Sequence, residues 1–130
     1  MQPTIFQAVH SSLGENYSNF KGRACRAEFW WTMLFYVLVE VALTGAIGFI
    51  SSFYWDMWMD PTKILIALVI FSLPFIVPNL SLLVRRLHDT GKTGWWLLLA
   101  FVPFIGEIAI LIFCLQEGNY GDNKYGPEPY

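Results

Sequence analysis

The chain is 130 residues long, 55% hydrophobic and only 14% charged, with a formal charge of -2. A single domain of that length cannot bury so much apolar side chain, which excludes an ordinary soluble globular protein. The net charge is neutral on a nucleic-acid partner, but basic residues placed at the edges of apolar blocks, not on a soluble face, argue against one.

In chain order, Ile5, Phe6, Val9 and Leu13 recur on one face of a short helix that Gly14 is suited to end. Within residues 1–28 this predicts an amphipathic helix lying at the membrane surface, with a frayed polar terminus as the alternative. No signal peptide is expected, because the first apolar block begins only at Phe29 and is too long for a signal core.

Three apolar blocks follow, at 29–49, 64–84 and 95–115, each 21 residues. At helical rise each reaches roughly 31 Å, the thickness of the hydrocarbon layer. The predicted fold is therefore an all-α integral membrane protein of three transmembrane helices plus the N-terminal interfacial helix. The first block sets ten Leu, Ile, Phe and Val residues against Glu40, and the third sets thirteen against Glu107. The second carries no charge, although Pro74 and Pro78 interrupt its hydrogen bonding, Pro74 freeing the carbonyl of Ile70.

Six of the eight Lys and Arg residues precede the first block or lie between the second and third. The positive-inside rule then puts the N-terminus and the basic turn at 85–94 in the cytoplasm, and three full spans put the turn-rich tail at 116–130 outside. A re-entrant third segment, broken at Pro103 and Gly106, is the alternative that returns the tail to the cytoplasm. Trp30, Trp31, Trp95 and Trp96 mark the inner interface, and Tyr54, Trp55 and Trp58 the outer one.

Three motif-like stretches stand apart from this apolar background: FKGRACRAEFWW at 20–31, RRLHDTGKTGWW at 85–96 and GNYGDNKYGPEP at 118–129. Together they resemble the bacterial inner-membrane family catalogued as domain of unknown function 805, whose pattern runs G-R-x-x-R-x-E-[FY]-W, R-R-L-H-D-x-G-x-x-G-W-W and G-x-N-[KR]-[FY]-G-P. The resemblance covers nearly the whole chain and implies a small multi-span protein of the bacterial inner membrane. It carries no activity over.

Read as residues, the second stretch is a tight turn. Gly91 suits the left-handed end of the second helix, Thr93 suits the cap of the third, and Asp89 is spaced to pair with Arg86. Arg23, Arg26, Arg85, Arg86 and Lys92 serve either as topology-setting charge or as one surface for an anionic lipid head group or a partner's acidic segment. Glu40 and Glu107, each counted near mid-bilayer, are candidates for an intramembrane proton or cation site, or are neutral packing residues. His88 and Asp89 are weak candidates for proton handling, and no catalytic residue is assigned.

With His10 and His88 the only histidines, and no calcium-loop spacing around Asp122 and Asn123, neither a metal nor a cofactor is expected. Cys25 and Cys114 are too differently placed to form a disulfide framework, and Cys25, near Arg23 and Arg26, is read as a bland surface cysteine, with a slightly activated thiol as the alternative. The leading functional expectation is a binding or accessory module with a basic cytoplasmic face, partnered by the bilayer and by a second copy or another membrane protein through Ala42, Thr44, Ala46 and Gly48. A small proton or cation transporter, or a channel subunit, built on Glu40 and Glu107 is the alternative. A membrane enzyme at the inner face is the third.

Overall fold

The computed structural model describes residues 2–53 and 60–129. Tyr54, Trp55 and Trp58, expected at the outer interface, lie outside the described residues. Among those described, the ordered elements are helical, and the tail adds one isolated bridge between Asn123 and Gly126.

Helix α1 spans Ile5–His10 and opens with a reciprocal cap, in which the Thr4 hydroxyl and the Gln7 side chain satisfy each other's backbone N–H. Instead of ending at Gly14, it passes into a π-helical turn over Ser11–Glu15. The wider turn keeps Ser12 facing inward beside Ala8, and both are fully buried while Phe6 stays exposed. One edge of the expected apolar face thus rests on protein, and the other is left for its surroundings.

Helix α2 runs Arg26–Phe53 and α3 runs Pro61–Asp89. At 28 and 29 residues they measure about 42 and 43 Å, so both overrun the predicted blocks at their ends. Both are long and apolar enough to cross a bilayer. Asp60 caps α3 through the Thr62 amide, with proline at the first position, where its missing N–H costs nothing. The expected basic turn shrinks accordingly, because Arg85, Arg86, His88 and Asp89 all belong to the last turns of α3. Only 90–93 remain as a connection, with Gly91 at φ +74, the left-handed stop expected of it.

Helix α3 continues through both prolines. Pro78 cannot donate to the carbonyl of Pro74, and that oxygen instead accepts a hydrogen bond from the Tyr17 hydroxyl at 2.5 Å. Nearby, the fully buried Ser81 hydroxyl reaches the carbonyls of Asn16 and Tyr17 at 3.0 and 3.2 Å. The polar segment between α1 and α2 is thereby pinned along α3.

The third apolar block corrects the sequence expectation of one continuous 21-residue helix. Gly94–Phe101 is a 3-10 helix, and α4 occupies only Ile105–Leu115. Between them Phe104 takes φ 64 and ψ -56, and the Ile105 N–H donates to the Pro103 carbonyl at 2.8 Å. That geometry is a γ-turn of the rare, strained hand. It reverses the chain, so Gly106 comes so close to the Leu99 carbonyl that a Cβ there would collide with it. Farther along, Trp96 meets Phe113 edge-to-face at 5.3 Å, and the Lys92 ammonium donates to the Gln116 side chain at 2.7 Å. The block is a helical hairpin whose two ends meet.

The small buried core lies where the elements converge, around Ala24, Phe29, Leu82 and Cys114. Away from it, Val37, Leu38, Val41 and Phe49 of α2 and Leu65, Ile70 and Leu73 of α3 stay exposed. Lipid is the solvent that such a surface requires.

Candidate functional site

The hairpin decides the site, because it brings the tail back to the end of α3. The Asn119 N–H donates to the Asp89 carbonyl at 2.8 Å, and Gly118 packs so tightly on the Asp89 carboxylate that no Cβ fits there. The first stretch arrives from the other side, where the Ala24 N–H donates to the Arg85 carbonyl at 3.0 Å. All three motif-like stretches therefore form one assembly around the last two turns of α3.

Asp89 is its hub. One carboxylate oxygen accepts from Arg23 Nε at 2.9 Å, and the other pairs with Arg86, the partner its three-residue spacing suggested. The remaining donors of Arg23 go to the carbonyls of Asn119, Gly121 and Gly126. Those of Arg86 go to Ala24, Cys114 and Gln116. Neither guanidinium is available to an outside ligand. Both are tie-bars that hold the tail and the hairpin end through backbone oxygens, a use that the five donors of arginine permit.

A second ion pair sits alongside. Glu28, in the first turn of α2, accepts from Arg85 Nη1 at 3.0 Å and from the Ser11 hydroxyl at 2.9 Å. The pair is buried on both sides, at 3% exposure each. Arg85 Nε and Nη2 are also buried and have no partner among the described residues. Three buried guanidiniums, of Arg23, Arg85 and Arg86, thus share two buried carboxylates, those of Glu28 and Asp89.

The remaining sequence candidates are distributed differently. Arg26 is exposed and reaches Glu117 at 3.8 Å, and Lys92 lies over the Phe113 ring at 4.6 Å. Of the five expected basic residues, then, only these two present charge outward. His88 and Asp89 diverge. The imidazole donates from Nδ1 to the Gly22 carbonyl at 3.1 Å and stacks on Tyr125 at 3.8 Å, whereas the carboxylate faces the arginines. Adjacent residues on a helix point apart, and no dyad forms. Cys25 is buried, not on the surface as expected, and burial pushes its thiol up from the ordinary value instead of activating it, with Glu28 and Asp89 adding to the effect while amide hydrogen bonds from Glu28 and Ala27 oppose it.

Glu40 borders a cavity of about 210 Å³ between α2 and α3 with Tyr36, Ser72, Phe75 and Asn79. Glu107 is exposed in the first turn of α4, beyond the chain reversal, and does not line that cavity. The two carboxylates are not brought to one site. Glu28, Asn119 and Tyr125 were missing from the candidates although all three lie inside the motif-like stretches. The available signal was charge balance, since arginines placed at a helix end next to apolar spans need carboxylates nearby.

A family described as a protein of unknown function, DUF805, matches residues 17–127, the stretch that builds this assembly. The chain belongs to the DUF805 family. Among curated relatives, inner membrane protein YhaI of Escherichia coli strain K12 is 39% identical over 118 residues, covering 91% of this chain and 92% of that protein. Inner membrane protein YhaH of the same strain is 35% identical over 115 residues, covering 88% and 90%. No solved structure matches. This DUF805 chain is accordingly an α-helical membrane protein, and its family name carries no activity.

Proposed function

We propose that this DUF805 protein is a bacterial inner-membrane binding or accessory module, whose cytoplasmic face is the assembly of its three motif-bearing stretches. The observation that carries the reading is the position of Asp89, tied at once to the first stretch through Arg23 and to the third through Asn119. Buried ion pairs are costly to assemble, and their best-attested use is to specify one arrangement. Here they fix the loops that a ligand or partner meets. In this reading α2 and α3 cross the bilayer, the hairpin of 94–115 enters and leaves on one side, and the N-terminal helix lies at that same interface with Phe6 in lipid.

The positive-inside rule supports placing the assembly in the cytoplasm, since Lys21, Arg23, Arg26, Arg85, Arg86 and Lys92 all gather there. The outward charges of Arg26 and Lys92 support contact with anionic lipid head groups. Fusions after residue 130 to a cytoplasm-active and a periplasm-active reporter test the arrangement. Activity of the cytoplasmic reporter alone is expected. Activity of the periplasmic reporter alone rejects the re-entrant hairpin and, with it, the composite face.

A further inference from the structure

We propose that the cavity between α2 and α3 binds a lipophilic organic cation, an amine carried on an apolar body, with its ammonium on Glu40. The proposal rests on the reading that α2 and α3 cross the bilayer, and is independent of the assembled face. Glu40 stands at the midpoint of α2, roughly 20 Å from either end, and Phe75 at the midpoint of α3. The cavity of about 210 Å³ that both border therefore lies deep in the hydrocarbon layer. Glu40 and Ile76 are exposed where they line it, so it opens sideways, towards lipid.

Charge calls for an occupant. Of the residues lining the cavity, Glu40 alone is ionic. The ion pairs among the described residues all belong to the assembled face, and none includes it. Nor does the chain offer a cation at that depth, since no Lys or Arg occurs in 29–53, 64–84 or 94–115. A carboxylate in hydrocarbon is costly unless it is paired, and those that spans retain face a partner or mark the path of an ion or substrate. The pairing cation for Glu40 comes from outside the chain.

Depth and lining select among cations. The ammonium of a phospholipid head group stays at the interface, too far away to reach mid-bilayer. A metal ion takes about six oxygen ligands. The Tyr36 hydroxyl and Asn79 Oδ1 are closed off from the surface, which leaves at most the Glu40 carboxylate and the Ser72 hydroxyl to supply them. The rest of the lining is apolar and aromatic: Val39, Ile76 and the rings of Tyr36 and Phe75, which meet edge-to-face at 5.6 Å. Aromatic rings attract a desolvated ammonium, and aliphatic side chains take an apolar body. A lipophilic amine, arriving through the bilayer, meets both.

The test uses the full chain in phosphatidylcholine nanodiscs, dialysed to equilibrium against labelled N,N-dimethylbenzylamine at pH 7, with empty nanodiscs as the blank. Isobutylbenzene, the uncharged molecule of the same shape, serves as competitor. Saturable binding above the blank that isobutylbenzene does not displace is the expected result. Glu40→Gln keeps the side chain's shape and weakens binding about tenfold or more. Phe75→Leu removes a ring and weakens it about fivefold. Val39→Phe fills the cavity without touching the charge and blocks binding, which keeps the test decisive if Glu40→Gln does not fold. Glu107→Gln, outside the cavity, leaves binding unchanged. Absence of saturable binding overturns the proposal, as does an equal loss in Glu40→Gln and Glu107→Gln. Displacement by isobutylbenzene overturns it too, and marks a groove for acyl chains. A periplasmic tail in the reporter fusions rejects the assembled face and leaves this cavity standing, whereas failed amine binding removes the cavity site alone.

Discussion

Replacing Asp89 with Asn keeps the side chain's shape and removes the charge that Arg23 and Arg86 share. Both guanidiniums are at least 93% buried, with exposures of 7% and 0%. Breaking a buried pair by removing one partner costs about 3–5 kcal/mol, because the charge left behind is desolvated and uncompensated. Here the Asn carbonyl still accepts one hydrogen bond and several backbone carbonyls still surround the arginines, which puts the loss near the lower end, about 3 kcal/mol. For a chain of this size that corresponds to a fall of roughly 10 °C in melting temperature. The loss is also local. The tail is held by Arg23 through Asn119 and Gly121, so Lys124 becomes more accessible to trypsin in Asp89→Asn than in the native protein. Melting in detergent and timed proteolysis read the two effects. A variant that melts within about 2 °C of the native protein and keeps its tail protected refutes the role of Asp89 as hub.

Two glycines of similar sequence context should respond with opposite sign. Gly106→Ala forces a methyl against the Leu99 carbonyl and should destabilise the hairpin by about 2 kcal/mol. Gly45→Ala, in the interior of α2 with nothing within 4 Å, should stabilise by up to about 1 kcal/mol; equal melting shifts contradict the fold-back. Cys25, buried and with its thiol pushed up, should react with a maleimide far more slowly at pH 7 than a cysteine placed at exposed Ser18. Its rate should keep rising as the pH passes 9, since the thiolate is the reacting form, and parity with Ser18→Cys at pH 7 contradicts the packing around it.

What the sequence determined by itself is what depends on local composition and spacing. The excess of apolar residues required a membrane, the long blocks at 29–49 and 64–84 required helices, Gly91 required a stop, and the three-residue step from Arg86 to Asp89 required a pair. Each involves neighbours along one helix or the partition of one segment. The sequence also placed Pro103 and Gly106 at the point where the third block breaks. It could not weigh that break, because hydropathy sums treat a continuous helix and a folded-back one alike. Tertiary structure decided it: the positive-φ γ-turn at Phe104 costs free energy locally. It persists because the returning helix α4 delivers the carbonyls of Cys114 and Gln116 to Arg86 and the tail to Asp89. Arg23 and Arg85 likewise read as surface charge from the sequence, since a cationic side chain is assumed to face water unless a partner is known. Their partners, Asp89 for Arg23 from 66 residues away and Glu28 for Arg85 from 57, become neighbours only when the chain closes.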